Sequence, residues 1–311
     1  MYTHTDGTQY ATGAIFTEKH PDVPSIGRSS KPFDWSTTFQ VPELVTKDQG
    51  QSGSCGGQAT AYREEILEGV PQSAKSIYSL CFVPGGGSGE QGLWGVIKNT
   101  GVSKESDVPS YDNGQPPSEA FMEDTSWNRK FSVADSSNVV YVNLDIESIA
   151  EAVRDNNGII LGIYGSDNGT WLSSNPSAPT IPTSQCWCHW VFVGGVGMFN
   201  GKKAIRIKNS WGSSVGENGW QWLTEDYAPY FWTAWTFLDA PKPQPKFQFT
   251  KDLSYKMTDP DVGQLQLRLG LSTPTNYFGA WTLLKLIYLQ YNNGLPLSGK
   301  VDQTTRNFLN K

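Results

Sequence analysis

The sequence predicts an α+β fold in two lobes, followed by a small helical module. In the first half, apolar residues recur at helical spacing, whereas the second half is rich in strand patterns. A proline-rich segment then separates both from a leucine-rich tail. Helices and strands that occupy different parts of a chain are typical of α+β proteins. At 311 residues, with 37% hydrophobic residues, the chain can hold one large and one small domain.

Individual elements follow from local patterns. Apolar residues after Gly56 recur at helical spacing, a second helix is predicted to open at 92–97, and a short one covers 146–154. Runs of β-branched and aromatic residues predict strands at 139–144, 159–164, 190–197 and 204–208. Asn200-Gly201 lies between the last two strands and predicts a hairpin turn.

Composition excludes several classes of function. The net charge of −6 argues against nucleic acid as a partner, and no apolar stretch is long enough to span a membrane. The chain has four cysteines and three histidines, and its one close cysteine pair, Cys186 and Cys188, lies beside His189 without a second pair to complete a metal site. We therefore expect no metal and no cofactor. We also expect no disulfide framework. The polar first residues do not resemble a secretory signal.

A cysteine framed by small residues is the strongest candidate for chemistry. Cys55 lies in Gly53-Ser54-Cys55-Gly56-Gly57, six positions after Gln49. Glycines allow close approach of a substrate, and a helix N-terminus favours the thiolate over the thiol. The amide of Gln49 can donate to a developing oxyanion. A lone buried cysteine is more often a small hydrophobic residue, so the prediction depends on partners elsewhere.

The base that such a thiol needs is predicted at His189. His4 and His20 fall in a polar N-terminal arm, residues 1–30, whereas His189 directly precedes an apolar strand. Asn209 begins Asn209-Ser210-Trp211-Gly212 and can hold the imidazole in one tautomer. Alone, a histidine or an asparagine is more often structural. Together with Cys55, their order and spacing indicate nucleophilic catalysis.

Residues 31–240 resemble papain-like cysteine peptidases. The resemblance implies a helical lobe and a β-barrel-like lobe, with Cys55 as nucleophile, His189 as acid and base, Asn209 as its orienter and Gln49 as oxyanion donor. It also implies substrate contacts from Gly92, Gln91 and Trp211, and hydrolysis of peptide bonds through a thioester. The matching segments are Pro32-Phe33-Asp34-Trp35, Val45 to Gly50, Gly53-Ser54-Cys55, Leu80-Cys81, Gln91-Gly92-Leu93, His189 to Gly197 and Lys208 to Trp220.

The chain departs from that family at several positions. Ser52 occupies a usual cysteine position, Gly56 a usual tryptophan position and Val215 a usual aromatic position. Cys81 matches a disulfide position without an evident partner. These changes leave the catalytic groups in place and predict a cleft of different shape, and hence a different choice of substrate.

The tail predicts a separate module. After a linker at 241–256, residues 257–311 resemble a three-helix peptidoglycan-binding module. Thr282 and Thr305 are expected as helix N-caps. We expect some aromatic residues to stack on sugars and at least half to pack in a core. The aromatic residues are Tyr277, Trp281, Tyr288 and Tyr291, and the expected core leucines are Leu265, Leu269, Leu286, Leu289 and Leu309.

The function predicted from these features is a cysteine endopeptidase held at the bacterial cell wall by residues 257–311. Its substrate would be a protein or peptide, and we suspect an extracellular, cell-envelope or phage-associated location. The alternatives are a peptidoglycan stem-peptide hydrolase (a phage or bacterial lysin), a catalytically degenerate wall-binding protein, and an amide-transfer enzyme with the same triad. An arm of residues 1–30 that lay in the cleft would slow activity until it was cut.

Overall fold

The computed structural model describes residues 2–3, 9–10, 12–127, 138–166, 170–174, 179–183, 187–238, 247–269, 271 and 274–310. His4, Cys186 and the proline-rich run 241–246 lie outside these ranges. The chain forms two compact units, residues 1–240 and 241–311. None of the helices in the described residues is both long and apolar enough to cross a bilayer.

The first unit is a mixed α+β structure, as predicted. Its helices are α1 (Cys55–Glu68), α2 (Ala74–Tyr78), α3 (Glu90–Asn99), α4 (Glu119–Glu123) and α5 (Ile146–Asn156). Its strands are β1 (Tyr2–Thr3), β2 (Gln9–Tyr10), β3 (Ser25–Ile26), β4 (Phe39–Gln40), β5 (Asn138–Val142), β6 (Ile159–Gly165), β7 (Trp187–Phe199), β8 (Lys202–Lys208), β9 (Trp220–Thr224) and β10 (Phe231–Leu238).

One sheet organises this unit. Its strand order is β3-β5-β10-β6-β7-β8-β9, with β4 paired to β7, and only β3 runs parallel to its neighbour. The predicted turn between β7 and β8 is present, with positive φ angles of 50° at Asn200 and 76° at Gly201. This is the conformation that Asn-Gly favours in a two-residue hairpin. Strands β1 and β2 form a separate antiparallel pair.

The two faces of the sheet contribute to two cores. On β6, Leu161 and Ile163 belong to a core shared with α5, whereas Ile160 belongs to the core around α1 and α3. This follows from strand geometry, in which successive side chains point to opposite faces. Helix α1 is buried along most of its length and ends at Gly69, whose φ of 69° permits a left-handed cap. Burial of α1 holds its first residue, Cys55, against the sheet.

The second unit contains α6 (Pro260–Arg268), α7 (Ala280–Asn292) and α8 (Gln303–Leu309). The five predicted leucines belong to its core, with Leu289 partly buried. The prediction of threonine N-caps is wrong, because Gly279 and Asp302 occupy those positions. Thr282 and Thr305 lie one turn inside and accept hydrogen bonds from the buried amides of Gln266 and Gln290, at 2.9 and 3.0 Å.

The burial of the aromatic residues in the tail also differs from the prediction. We expected at least half of them to be buried in the core, yet all four are exposed. Trp281, Tyr288 and Tyr291 are 72%, 65% and 71% exposed and lie on one face of α7 with the exposed Leu284. Positions three, four and seven residues apart share a helix face, so these side chains form one apolar stripe. The core is instead filled by leucines and by residues that the sequence did not single out, such as Phe249 and Phe278.

Candidate active site

The thiol lies at the beginning of α1. Cys55 is the first residue of the helix and is fully buried. The preceding turn includes Gly50, whose φ of 55° suits glycine. Backbone N–H groups of Trp190, Gly13 and Gly56 point to the sulfur, and that of Gly13 lies 3.3 Å from it. Since Trp190 directly follows His189, the structure brings the thiol next to the strand that carries the predicted base.

His189 lies on β7, paired with Ile163 of β6. Its Nε2 is 3.0 Å from Asn209 Oδ1, and both residues are fully buried. Trp211 stacks on the imidazole with ring centroids 4.5 Å apart at 27°. Trp211 is itself 1% exposed, so it covers the His189–Asn209 contact from water, and the substrate contact expected of it stays a prediction.

Gln49 is held in the same buried cluster. Its Nε2 donates to Ser52 O at 2.9 Å, and its Oε1 accepts from the hydroxyl of Ser210 at 2.6 Å. Its backbone N–H also donates to the carbonyl of Ser210 at 2.8 Å. The segment before Cys55 and the segment that carries Asn209 are therefore bonded to each other, which fixes their relative position.

The N-terminal arm enters this site. Ser88 donates its N–H to Gly13 O at 2.8 Å and accepts from Ile15 N at 3.1 Å, so Ala14 pairs with Ser88 in a parallel bridge. Further along the arm, the N–H of His20 donates to the hydroxyl of Tyr141 at 2.8 Å. Residues 12–17, named here the plug, thus run as an extended segment over Cys55.

Gly13 and Gly87 allow the plug to approach this closely. A Cβ on Gly13 would lie 1.8 Å from the carbonyl oxygen of Gly53, and one on Gly87 would lie 2.5 Å from the oxygen of Gly13. Glu119 supports the two cleft glycines, since it accepts from Gly53 N at 2.5 Å and from the hydroxyl of Tyr78, which in turn accepts from Gly87 N at 2.7 Å. No larger residue fits at position 13 in this arrangement.

Burial sets the charge state of the catalytic candidates. It raises the pKa of the Cys55 thiol to about 11, although the backbone N–H groups around the sulfur oppose the shift. It lowers the pKa of His189 to about 4, against the opposing effect of the bond to Asn209. At neutral pH these shifts favour a neutral thiol and a neutral imidazole, because burial leaves neither charge solvated.

Two of the predicted substrate contacts, Gly92 and Gln91, lie at the beginning of α3. Gly92 is in the first turn of α3, where an added Cβ would meet Cys81 at 3.1 Å, and Gln91 is exposed. The backbone that pairs with an extended segment is that of Ser88, which the sequence did not single out. The glycine-rich run at 85–89 was a signal for it, but nothing local distinguished Ser88 within that loop.

Comparison with known proteins identifies the family of the first unit. The model of the papain family cysteine protease domain matches residues 29–230. The chain belongs to the papain family of cysteine proteases. A cathepsin L-like proteinase of Phaedon cochleariae is 26% identical over 216 residues, which cover 65% of this chain and 62% of that relative. The matched region thus spans less than two thirds of that relative's length.

Two solved structures share the fold of this papain-family chain. Xylellain, a cysteine protease from Xylella fastidiosa, superposes with a TM-score of 0.62 at 18% identity and covers 75% of this chain and 97% of its own. The digestive procathepsin L 3 of the Tenebrio molitor larval midgut gives a TM-score of 0.53 at 23% identity, with coverages of 69% and 73%. At these identities the likeness establishes the fold.

Two of the departures from the papain pattern, Gly56 and Ser52, have physical explanations in the structure. A Cβ on Gly56 would lie 2.4 Å from Ser88 Oγ and 3.1 Å from the ring of Trp190, so Trp190 occupies the space into which a side chain at 56 would extend. Ser52 is buried and hydrogen-bonded to Gln49 O and to Ser54 Oγ, both at 2.7 Å. Cys55, Cys81 and Cys188 are unpaired among the described residues.

Proposed function

We propose that the first unit is a cysteine endopeptidase in which Cys55, His189, Asn209 and Gln49 carry the reaction. The observation that supports it most directly is the buried contact of His189 Nε2 with Asn209 Oδ1, covered by Trp211, beside a thiol at a helix start. Papain-family membership supports the same chemistry. The substrate is proposed to be a protein or peptide.

In the proposed reaction, His189 Nδ1 takes the proton of Cys55 while the sulfur forms a bond to the carbonyl carbon of the substrate. The amide of Gln49 donates to the oxyanion that develops. His189 then gives its proton to the departing amine as the C–N bond breaks, leaving a thioester on Cys55. Water, deprotonated by His189, attacks the thioester and releases the acid and the thiol.

We further propose that the plug keeps this site latent. The support is geometric, since Gly13 donates to the sulfur, and Gly13 and Ile15 bond to the backbone of Ser88 and hold the plug over the thiol. A neutral thiol is a weak nucleophile, so the high pKa of Cys55 beneath the plug acts in the same direction.

Mass spectrometry after treatment with an epoxysuccinyl inhibitor tests the triad. We expect one adduct on Cys55, slow in the full chain, absent in Cys55→Ala and greatly reduced in His189→Ala. Adduct formation at an undiminished rate in His189→Ala would contradict the assigned base. No adduct even after the plug is displaced would favour the degenerate binding protein. Transfer of an amine to the acyl group in place of hydrolysis would favour the amide-transfer enzyme.

For the second unit we propose attachment to peptidoglycan. The supporting observation is the apolar stripe on α7, where the side chains of Trp281, Tyr288 and Tyr291 are exposed and do not pack in the core. Flat aromatic rings can stack on the apolar faces of sugars. We expect the full chain to sediment with purified peptidoglycan and Trp281→Ala to lose most of that binding. Tyr255→Ala, an exposed tyrosine outside α7, serves as the matched control. Equal sedimentation of all three proteins would refute this use of the stripe.

The reaction products distinguish the two substrates that an enzyme attached to peptidoglycan could cleave, the peptide stems of peptidoglycan and envelope proteins. Release of new amino groups from purified peptidoglycan would identify a stem-peptide hydrolase, as in a lysin. Fragments of a protein substrate without such release would identify an envelope endopeptidase.

A further inference from the structure

A buried glutamine continues the hydrogen-bond chain behind His189. Gln221 lies on β9 and is fully buried. Its Oε1 accepts from Asn209 Nδ2 at 3.0 Å, and its Nε2 donates to the backbone carbonyl of Trp171 at 2.9 Å. On its other side, Asn209 Oδ1 accepts from Ser210 N at 2.8 Å and faces His189 Nε2 at 3.0 Å. The chain therefore runs from a backbone carbonyl through two amides to the imidazole.

The two ends of this chain are backbone groups whose roles cannot be exchanged. A carbonyl only accepts, so the Gln221 atom that faces Trp171 must be the nitrogen, and its oxygen must face Asn209. The N–H of Ser210 only donates, so the Asn209 atom that it meets must be the oxygen. Both ends impose the same orientation on Asn209, with its oxygen toward His189.

That orientation selects one tautomer of the imidazole. An oxygen acceptor facing Nε2 requires a proton on Nε2, which leaves the lone pair of neutral His189 on Nδ1. Nδ1 is buried and has no hydrogen-bond partner among the residues that the structure describes. It is therefore the ring nitrogen available to take a proton.

We propose that Gln221 is a positioning residue that locks Asn209, and through it the Nε2–H tautomer of His189. The inference rests on the proposed function, in which His189 Nδ1 accepts the thiol proton. Turning the amide of Asn209 over would place an N–H against Ser210 N–H and an oxygen against Gln221 Oε1. Without Gln221, only the first of these two mismatches remains, and Asn209 Nδ2 loses a buried partner.

The anchor of the chain is itself rigid. Trp171 is fully buried, and its ring packs edge-on against Trp187, Trp211 and Tyr227 at centroid distances of 5.3, 6.2 and 5.8 Å. Because Trp211 also stacks on His189, one aromatic cluster holds both the carbonyl at one end and the imidazole at the other.

The direct test is the tautomer itself. The chain has three histidines, so a two-bond ¹H–¹⁵N spectrum of the histidine-labelled full chain is simple, and His189→Ala assigns the signal. In a Cys55→Ala background at neutral pH, we expect His189 to carry its proton on Nε2. Adding Gln221→Met, which keeps a side chain of similar length, should produce a measurable Nδ1–H population. An unchanged tautomer overturns the inference.

Kinetics supply the second readout. We expect Gln221→Met to lower kcat about tenfold with little change in KM, the loss typical of leaving a buried amide unpaired. Because Gln221 acts through Asn209, Gln221→Met should cause no further loss in an Asn209→Ala chain. A loss of equal size in both backgrounds would show that Gln221 is only structural.

A matched control separates positioning from general destabilisation. Thr236 on β10 is fully buried and bonded at 3.3 Å to both Arg63 Nε and Gly158 O. Thr236→Val should lower the melting temperature without moving the tautomer or kcat. If His189→Ala is inactive but the tautomer of His189 is unchanged in Gln221→Met, the inference about Gln221 fails and the proposed function stands. A fully active His189→Ala overturns the proposed function and the inference with it.

Discussion

Replacing Gly13 by valine should open the cleft without touching the catalytic groups. The Cβ of any larger residue at position 13 would lie 1.8 Å from Gly53 O, a distance that real side chains do not adopt. The contact is with backbone on both sides, so no flexible side chain can yield. Residues 12–17 must therefore leave the cleft.

The magnitude follows from the bonds that are lost. Displacing the plug breaks the bond from Gly13 N to the Cys55 sulfur and the two bonds between the plug and Ser88. At about 1 kcal/mol net for each, these three bonds favour the closed state of the wild type by about 3 kcal/mol. The wild type is then open only about 1% of the time, so a permanently open variant exposes the thiol about 100-fold more often. The rest of the arm should stay attached, because Arg28 and Ser29 bind Glu151 at 2.7 to 2.9 Å. Substitution is thus cleaner than truncation.

The assay is the rate at which iodoacetamide alkylates Cys55 at neutral pH, with peptide mapping to separate it from the other cysteines. Gly27→Val is the matched control, since a Cβ on Gly27 would meet nothing within 4 Å. We expect Gly13→Val to react up to about 100-fold faster than either the wild type or the control. Equal rates in the three proteins, with matching near-UV circular dichroism, would refute the reasoning that the plug blocks the site.

Two further predictions concern stability. His189 has a pKa of about 4 in the fold against an ordinary value near 6.5, so the stability contributed by its neutral form is fully present above pH 6.5 and is lost progressively as the pH falls from 6.5 to 4. The expected loss in the free energy of unfolding is about 3 kcal/mol. Urea unfolding at pH 7 and pH 4.5 should show this loss in the wild type and a much smaller one in His189→Gln. An equal loss in the two proteins would contradict the prediction. Gly56→Trp should prevent folding, because Trp190 occupies the space that the new side chain would need. Gly95→Trp is the control and should fold, since a Cβ there meets nothing within 4 Å. Thermal unfolding of both variants checks this, and a cooperative transition at the wild-type temperature for Gly56→Trp would contradict the packing argument.

The sequence by itself determined the fold class, the main elements and the candidate catalytic residues. Burial on a helix or strand leaves a period of 3.6 or 2 residues in the chain, which is how α1, α5, β6 and the β7–β8 hairpin could be predicted. The thiol, imidazole and amide at Cys55, His189 and Asn209 could be named because each residue type has distinctive chemistry and the family pattern gives their order.

Only the tertiary structure decided which other groups meet at the site. Gly13 and Ser88 are 75 residues apart in the sequence and are bonded through their backbones, which no side-chain pattern records. Gln221 could not be singled out, because a buried amide within a strand gains its partners, Asn209 and the carbonyl of Trp171, from other segments of the chain. The exposure of Trp281 was also decided there, since the small second unit fills its core with leucine and phenylalanine and leaves the aromatic face of α7 uncovered. Local spacing predicts which face of an element is apolar, but what packs on that face depends on contacts between distant segments.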